Sequence, residues 1–577
     1  MYEKAVEQFH IAKAIQDNVP EVFFNLGKLH ECLGDRKTAF AQYEKVLELD
    51  HNFVPAWVGG GAILQGEGKL DAALSAFDKA LTLSPDYAEA LFLKGNVLRA
   101  LRRYQEALDA YSKCLSIDPK VPFVLGAYAN TKMLICDWSH FDEDLDKIKS
   151  QILQSQEVIP PFPLLALIDD PDLQLMAAKT WTNNENKNLE VSRVVHKDTH
   201  SEKIRIGYFS ADFGFHPVAF LIAEIFELHN RQQFEIYGFS TGPNTEDPMR
   251  KRLEQSFDEF IDVHSWSDAQ IAAKARDLKI DIAIDLTGFT QDGRTNIFAL
   301  GAAPVQVNFL GYPGTLGASY MDYIIVDPVI ASENNQRYYA EKLAFLPDAY
   351  QPNDRKRTRP KNRVNRNKAG LPEQDFIFCC FNNNFKITPH QLDLWASILK
   401  QVEGSFLWLL EDNPMASQNL RYEISKRGVS IDRLIFASRV APEDHLHRMS
   451  AADLFLDTSP YNAYTTASEA LWVGLPILTR IGKSFCSRVA ASLIRAAGVP
   501  ELITTTDDEY VELAVNLARS PSKLDALKWR LGQAQENAPL FDSERFTRNL
   551  ENLYLQMHEK SELGQPPAQI SVFEGKA

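Results

Sequence analysis

The sequence predicts an α-helical solenoid followed by two lobes of parallel β-sheet covered by helices. Three observations predict this fold class. Residues 1–121 repeat with a period of 34, short apolar runs alternate with helical stretches from Lys203 onward, and a polar segment at 351–370 divides that second region into two series. Alternating β and α units form a parallel sheet with helices on both faces, so each series predicts one α/β lobe.

The bulk composition narrows the possible classes of protein. A chain of 577 residues is expected to hold several domains, because one core rarely exceeds roughly 250–300 residues. A net charge of −16 argues against wrapping nucleic acid, and no apolar run reaches the roughly 18–20 residues of a membrane span. The six cysteines lack the spacing of a zinc site or a disulfide framework, which predicts a reducing compartment. With no signal-peptide pattern, we expect a cytoplasmic protein without membrane or nucleic-acid partners.

The first region, 1–121, is predicted to be a tetratricopeptide array. Small residues recur every 34 positions where two helices would touch, and a large aromatic residue recurs with them: Gly27, Gly61 and Gly95; Ala39, Ala73 and Ala107; Tyr43, Phe77 and Tyr111. Ala5, Phe9 and Ile15 fit the second helix of one more repeat. Either Met1 lies inside a longer array or this half repeat packs on something else. The array is a scaffold or a concave peptide-binding surface.

Residues 122–200 are predicted to be a helical connector and linker. Helical patterns cover Leu125–Cys136 and Phe141–Leu153, and Asn183–Asp198 is polar. The acidic triplet Asp142–Asp144 contains an Asp-x-Asp, which holds a metal in some transferases. At the start of an amphipathic helix such residues suit the helix dipole, so we expect no metal there.

Two Rossmann-like lobes are predicted at 201–350 and 371–560, joined by the linker 351–370. The first series of strands is Ile204–Ser210, Phe234–Phe239, Ile280–Leu286, Val305–Phe309 and Tyr323–Val326. The second series is Phe376–Phe381, Phe406–Leu410, Leu434–Phe436, Leu454–Asp457 and Pro476–Thr479. Two such lobes enclose a cleft at the carboxyl ends of their strands, where ligands bind. The polar tail 561–577 is predicted to be disordered.

One strand–turn–helix stretch, Leu454–Leu471, has the pattern of an anion site. Its apolar run ends at Asp457, a turn follows, and Thr465 opens an amphipathic helix. The free N–H groups and the dipole of a helix start attract a phosphate. The alternative is an ordinary turn between a strand and a helix.

Five motifs in order resemble the O-linked N-acetylglucosamine transferase and SPINDLY family, in its shorter bacterial form. They are Ser210–Pro217, Leu310–Thr315, Phe381–Ile387, Val440–His445 and the Leu454–Leu471 stretch, with Cys136–Trp138 ahead of them. The long insertion between the lobes of the animal enzymes is absent. The resemblance implies that the two lobes have the GT-B arrangement.

The resemblance implies an inverting transfer of N-acetylglucosamine from UDP-N-acetylglucosamine to Ser or Thr hydroxyls, without a metal or other cofactor. Charge develops on the β-phosphate as the glycosidic bond breaks, and a cation must meet it. Lys386 matches the family's lysine for this role, and Thr465 and Thr466 supply helix N–H groups. His216 matches a histidine that faces the cleft, where it can accept a proton or orient the acceptor.

The resemblance also assigns donor-binding residues to this sequence. They are Leu310, Gly311, Pro313, Asn383, Lys386, Ala441, His445, Arg448, Asn462, Tyr464, Thr465, Thr466 and Glu469. His445 is expected to stack on the nucleotide base, beside the Ala441 backbone and Arg448. Tyr464 replaces a histidine that is frequent in the family, and Glu469 replaces an aspartate that holds the ribose. These departures bear first on the choice of sugar.

Three alternatives remain open at the level of sequence. The first is an O-fucosyltransferase of the SPINDLY type that uses GDP-fucose. The second is a non-catalytic tetratricopeptide adaptor, and the third is a transferase with a non-protein acceptor. The joint presence of His216, Lys386 and Thr465 favours an enzyme. Leu310–Thr315 and Phe406–Leu410 look closer to the N-acetylglucosamine branch. The expected partners are a nucleotide sugar and an acceptor protein or peptide held in the repeat groove.

Overall fold

The computed structural model describes residues 18–187, 189–194, 202–359 and 364–572. The chain divides into two compact units. One comprises Met1–Lys132 with Ser139–Ile159, and the other Met133–Trp138 with Pro160–Ala577. The half repeat predicted around Phe9 lies outside the described residues. No helix in the described ranges combines the length and apolar composition needed to cross a bilayer.

The repeat region forms helix pairs at the predicted 34-residue spacing. Its helices are α1 (Pro20–Cys32), α2 (Arg36–Leu49), α3 (Val54–Gly66), α4 (Leu70–Leu83), α5 (Ala88–Ala100) and α6 (Tyr104–Ile117). The aromatic residue of each repeat packs against the glycine of the facing helix. A Cβ at Gly27 would lie 2.6 Å from the Tyr43 ring, and one at Gly95 would lie 2.4 Å from the Tyr111 ring. The recurring glycines therefore let the paired helices approach closely.

The connector begins with the two predicted helices, α7 (Val124–Leu134) and α8 (Phe141–Leu153). The acidic triplet occupies the first turn of α8. Asp144 forms an ion pair of 3.1 Å with Lys132, and both side chains are largely buried. Asp144 thus has a structural partner on the neighbouring helix.

Two more connector helices, α9 (Pro161–Leu164) and α10 (Pro171–Glu185), open the second unit. The predicted linker from Asn183 therefore begins inside a helix. Further along this polar stretch, an Arg193 guanidinium nitrogen lies 2.6 Å from an Asp322 carboxylate oxygen, so this part lies on the first lobe. Residues 195–200 lie outside the described residues.

The first lobe is an eight-stranded parallel sheet that contains every predicted strand and three more, one of which comes from the end of the described chain. Its first seven strands are β1 (Ile204–Ser210), β2 (Phe234–Ser240), β3 (Glu259–Asp262), β4 (Ile282–Asp285), β5 (Val305–Asn308), β6 (Tyr323–Val326) and β7 (Lys342–Phe345), in the order β7-β6-β5-β4-β1-β2-β3. Its helices are α11 (Pro217–Leu228), α12 (Pro248–Glu254), α13 (Asp268–Asp277) and α14 (Asn296–Ala299). The edge strand β3 was missed because charged residues at both ends interrupt the apolar run that marks a buried strand.

The second lobe is a parallel sheet with strand order β10-β9-β8-β11-β12-β13. The strands are β8 (Ile377–Cys380), β9 (Phe406–Leu410), β10 (Leu434–Ala437), β11 (Leu454–Leu456), β12 (Ile477–Arg480) and β13 (Ile503–Thr504). The helices are α15 (Pro389–Gln401), α16 (Pro414–Lys426), α17 (Pro442–Met449), α18 (Thr465–Trp472), α19 (Val489–Ala496), α20 (Asp507–Arg519) and α21 (Pro521–Asn537). The five predicted strands are present, and the two-residue β13 is additional.

The chain then returns to the first lobe, which corrects two predictions. Helix α22 (Ser543–Glu562) packs against α11 and β5, and strand β14 (Ile570–Ser571) pairs in parallel with β7. The end of the segment 371–560 therefore does not belong to the second lobe. The tail 561–577 is not disordered throughout, because its described part contains β14, in which Ile570 is 5% exposed. A two-residue strand is too short to show a period in sequence.

Candidate functional site

A buried carboxylate fixes the loop between β11 and α18. Asp457 accepts hydrogen bonds from the backbone N–H groups of Thr458 (2.8 Å) and Ala463 (2.7 Å) and from the hydroxyl of Thr479 (2.7 Å). Burial raises the pKa of Asp457 to about 6, although these hydrogen bonds and the nearby Lys386 oppose the shift. The Asp457 side chain therefore fixes the conformation of the loop.

Lys386 reaches this loop from the turn that follows β8. Its ammonium group donates to the carbonyl of Asn462 at 2.8 Å and lies 3.7 Å from the centroid of the Tyr461 ring. Burial lowers the pKa of Lys386 to about 8, and Asp457 acts in the opposite direction. The side chain is thus mostly cationic at neutral pH and is held in place by protein contacts.

Two polar atoms beside Lys386 are left unsatisfied. The side-chain oxygen of Asn462 and the hydroxyl of Tyr464 are buried, and neither has a hydrogen-bond partner in the part of the chain that the structure describes. Buried polar groups without partners are costly, so such atoms indicate a place where a ligand can bind. The structure brings together three residues that the resemblance assigned to the donor.

Thr465 and Thr466 are the first two residues of α18, and Tyr464 occupies the N-cap position. No side chain among the described residues caps this helix. The first hydrogen bond of the helix runs from the Ser468 N–H to the Tyr464 carbonyl at 2.9 Å. The preceding N–H groups lack intrahelical acceptors, as at every helix start, and can bind an anion.

His445 lies in α17, on the other side of the second-lobe site. Arg448 donates to its Nδ1 at 2.9 Å, and its ring lies edge-on to Phe381 with 5.1 Å between centroids. Burial, reinforced by nearby arginines, lowers the pKa of His445 to about 3. The ring is neutral at physiological pH, and because Nδ1 accepts, we assign the proton to Nε2. The Ala441 carbonyl accepts from the backbone N–H of His445 at 2.8 Å.

Glu469 faces His445 and is paired with an arginine that the sequence did not single out. Its two carboxylate oxygens lie 3.8 Å from His445 Nε2 and 2.7 Å from a guanidinium nitrogen of Arg357. Arg357 belongs to the segment 351–370, which the sequence predicts to be a linker and in which it indicates no site residue. No spacing rule connects it to a residue so far away in sequence.

Asn383 is an exposed residue ahead of the Lys386 turn. Its side-chain oxygen accepts from Arg439 at 3.2 Å. Arg439 is also paired with Asp412. Asn383 therefore lies near Lys386 in the chain and is held toward the β10–α17 loop.

The first lobe places His216 at the start of α11, directly after the β1 loop. Its Nδ1 accepts a hydrogen bond from the backbone N–H of Val218 at 3.4 Å and lies 3.3 Å from a carboxylate oxygen of Asp212. Burial lowers the pKa of His216 to about 4. The side chain nevertheless keeps 45% of its surface exposed, so a substrate can reach it.

Asp212 is a second site residue that sequence reasoning missed, although it lies within the Ser210–Pro217 motif. Burial raises its pKa to about 7, and the negative charges of Asp292 and Asp285 add to this effect. An acid with a pKa near neutrality beside a histidine is an arrangement that supports proton transfer.

The loop after β5 brings Leu310, Gly311 and Pro313 to the carboxyl edge of the first sheet. Leu310 has a φ of +71°, in the left-handed region that non-glycine residues rarely adopt. A Cβ at Gly311 would lie 2.1 Å from the carbonyl oxygen of Leu286, so only glycine fits. The loop backbone is therefore pressed against the end of β4, where a ligand of the cleft can meet it.

No group of three His, Cys, Asp or Glu side chains in the described ranges is placed to hold a metal ion. Helices α11 and α18, which begin beside His216 and Thr465, contact each other. The predicted residues therefore lie at or just after the carboxyl edges of two parallel sheets, and helices α11 and α18 bring these two edges together. This fold and this site define the GT-B class of glycosyltransferase folds.

The chain belongs to glycosyl transferase family 41, whose model matches residues 135–363 and 358–550. Tetratricopeptide repeat models match residues 20–53 and 61–122. The predicted family resemblance and the predicted fold class are thus confirmed.

Several named proteins are similar to this chain. The probable UDP-N-acetylglucosamine–peptide N-acetylglucosaminyltransferase SEC of Arabidopsis thaliana is 34% identical over 468 residues, which are 77% of this chain and 48% of that protein. The UDP-N-acetylglucosamine–peptide N-acetylglucosaminyltransferase of Caenorhabditis elegans is 27% identical, over 75% of this chain and 49% of that protein. The chain therefore spans about half the length of these curated relatives. A solved mutant of the Thermobaculum terrenum O-GlcNAc transferase is 26% identical, with a TM-score of 0.69 over 94% of this chain and 98% of its own.

Proposed function

We propose that the protein transfers N-acetylglucosamine from UDP-N-acetylglucosamine to Ser or Thr hydroxyls of proteins, with inversion and without a metal. The observation that carries this proposal is the buried Lys386 ammonium beside the uncapped start of α18. A fixed cation and free helix N–H groups can stabilise the charge that develops on a departing diphosphate. That is the role a divalent metal has in other transferases.

The donor would satisfy the polar atoms that the site leaves open. Its diphosphate would bind at the N–H groups of Thr465 and Thr466, with Lys386 beside the β-phosphate. The unpaired Asn462 oxygen and Tyr464 hydroxyl are available to the sugar or the diphosphate. The neutral His445 ring is suited to stacking on a nucleobase, since it carries no charge to desolvate.

On the first lobe, His216 would take the proton of the acceptor hydroxyl. This role requires Nδ1 to give up the long hydrogen bond that it accepts from the Val218 N–H and to donate a proton to the ionised Asp212, which would leave Nε2 free to receive the proton of the hydroxyl. The nucleophilic oxygen attacks the anomeric carbon as the bond to the diphosphate breaks, which inverts that carbon. The acceptor is proposed to be a protein, because tetratricopeptide arrays present concave surfaces to peptides and capture on the same chain raises local concentration.

The preference for UDP-N-acetylglucosamine is supported by similarity. SEC, 34% identical over 468 residues, and the SPINDLY protein of Petunia hybrida, 30% identical over 363 residues, are both named as probable UDP-N-acetylglucosamine–peptide N-acetylglucosaminyltransferases. A cytoplasmic location is part of the same proposal, since all six cysteines are free thiols.

Two measurements in the presence of excess chelator test this proposal. Calorimetric titration compares the affinities of the donors, and an assay of sugar transfer to protein acceptors tests the need for a metal. UDP-N-acetylglucosamine should bind more tightly than GDP-fucose, and transfer to protein acceptors should keep its full rate. The opposite order of affinity would reassign the sugar. A loss of activity that magnesium or manganese restores would refute the metal-independent mechanism, and binding of neither donor would favour a non-catalytic adaptor.

A further inference from the structure

One linker residue touches both of the helices that begin at the cleft. The guanidinium of Arg357 lies 5.5 Å from the ring centroid of Phe220 in α11 and 2.7 Å from the carboxylate of Glu469 in α18. Its side chain is only 11% exposed, and that of Glu469 is 10% exposed. Helix α11 begins after His216, and α18 begins at Thr465. Arg357 therefore lies between the helix of the proposed base and the helix of the proposed phosphate site.

The neighbouring cations of the linker have different partners. Arg355 pairs with Glu224 in α11 and Glu544 in α22, and Lys356 pairs with Glu227 in α11. These contacts attach the linker to the first lobe. Of the three consecutive cations, Arg357 is the one whose partner is a carboxylate of α18.

The ion pair with Arg357 uses one oxygen of the Glu469 carboxylate, so the other oxygen can accept a hydrogen bond from a ligand. One oxygen is taken by the guanidinium, while the other lies 3.8 Å from His445 Nε2, beyond hydrogen-bond distance. A carboxylate that is oriented by an arginine and faces a neutral imidazole can accept hydrogen bonds from hydroxyl groups. The family resemblance implies that the residue at this position holds a ribose, and the free oxygen of Glu469 can accept hydrogen bonds from the two hydroxyls of a ribose.

We propose that Arg357 is a positioning residue that orients Glu469 toward the ribose of a nucleoside diphosphate sugar and couples donor binding to the placement of α11. This inference rests on the proposed function, because it takes the second-lobe site as the donor site. A buried carboxylate without a counter-ion is energetically costly, and its side chain rearranges to reach a partner or solvent. Glu469 would therefore lose its orientation without the guanidinium. Loss of the contact with Phe220 would at the same time loosen α11, which carries His216.

The experiment uses the full chain with UDP as the calorimetric probe and protein transfer as the kinetic readout. Arg357→Ala should weaken UDP binding about tenfold and lower kcat about tenfold as well. Arg357→Lys should restore most of the UDP affinity, since an ammonium can still pair with Glu469. It should restore less of kcat, since lysine lacks the planar group that lies against Phe220.

Two controls separate positioning from general destabilisation. Arg355→Ala removes an arginine of the same linker that pairs away from α18, so it should lower the melting temperature without changing UDP affinity. The double variant Arg357→Ala with Glu469→Gln should bind UDP no more weakly than Glu469→Gln alone, because Arg357 acts through that carboxylate.

The outcomes distinguish this inference from the proposed function. If the wild-type chain binds neither UDP nor GDP, the proposed function fails. If wild type binds UDP and Arg357→Ala binds it within twofold, the positioning role is overturned. It is equally overturned if the two losses add in the double variant, or if Arg355→Ala weakens UDP to the same extent.

Discussion

In each lobe one strand of the sheet leads into a buried aspartate: β4 ends at Asp285, and β11 is followed by Asp457. The two aspartates differ in their hydrogen-bond partners. In the second lobe, Asp457 accepts from two backbone N–H groups and a threonine hydroxyl. In the first lobe, one oxygen of Asp285 accepts from the N–H groups of Thr287 and Gly288, and the other has no hydrogen-bond partner within the described residues. Burial raises the pKa of both carboxyls to about 6.

The difference shows that the loop between β11 and α18 is fixed by contacts within the second lobe. The loop above Asp457 is held by hydrogen bonds, and Lys386 is held by the loop. In the first lobe the unpartnered atom among the described residues is on the carboxylate itself, at Asp285, whereas in the second lobe the unpartnered atoms are on the loop, at Asn462 and Tyr464. A lobe that stabilises developing charge benefits from a rigid site, because fixed dipoles need no reorganisation during reaction.

The strongest test of the rigid lobe is Lys386→Met, which removes its cation and keeps an unbranched side chain. Turnover should fall by roughly 10²–10³, because the charge on the leaving group is largest in the transition state. Donor affinity should fall much less, since the helix start and the base-stacking ring remain. Single-turnover kinetics and calorimetry measure the two effects separately. A variant within threefold of wild type would remove Lys386 from the mechanism.

The first lobe is tested by the pH dependence of transfer. Below a pH of about 7 Asp212 is protonated and donates to His216 Nδ1, so Nε2 carries the proton and cannot accept another. Above it, the ionised Asp212 can draw the proton to Nδ1, in place of the 3.4 Å hydrogen bond that Nδ1 accepts from the Val218 N–H, and Nε2 becomes a base. Transfer should therefore rise with pH through about 7, while the pKa of His216, near 4, keeps the ring neutral over this range.

Asp212→Asn should lower transfer by about 10²-fold at high pH and remove the rise, because an amide donates to Nδ1 at every pH. Asp292→Asn is the matched control, since it removes a nearby negative charge without touching His216. It should shift the midpoint of the profile downward and keep the rise. An unchanged profile in Asp212→Asn would show that another group titrates.

The smallest expected effect compares the two buried aspartates directly. Asp457→Asn should lower the free energy of unfolding by about 2 kcal/mol. The amide nitrogen would replace one of the two oxygens that accept hydrogen bonds, so a buried donor would lose its acceptor. Asp285→Asn should lower it by less than Asp457→Asn does, because the oxygen that accepts from Thr287 and Gly288 is kept and the replaced oxygen has no hydrogen bond to lose. Chemical denaturation at pH 7 measures both. Equal losses would contradict the difference between the lobes.

Sequence predicted those parts of the molecule whose contacts are local or periodic. Gly27 and Tyr43 face each other within one repeat, so a 34-residue period reveals them. The strand–turn–helix at Leu454–Leu471 is continuous, so its helix start was predictable from the chain alone. The grouping of Lys386 with Asn462 came only from the family resemblance, because 76 residues separate them.

The features that were missed depend on distant partners. Arg357 meets Glu469 across 112 residues, and no local pattern marks one arginine of a basic linker as special. Asp212 gains its raised pKa from burial and from two aspartates on other segments. Strand β14 has only two residues, and its place in the sheet is set by the neighbouring strand β7.

The return of α22 and β14 to the first sheet has a consequence for how the chain is made. Tyr554 in α22 lies 3.2 Å from the hydroxyl of Tyr208 in β1, and Glu551 lies 3.1 Å from His229. These buried contacts cannot form until α22 has left the ribosome, so the second lobe emerges as an insertion within an unfinished first lobe. Completion of the first lobe therefore waits for α22 to be synthesised. A fragment cut after Tyr350 would leave the apolar side of α11 exposed to aggregation.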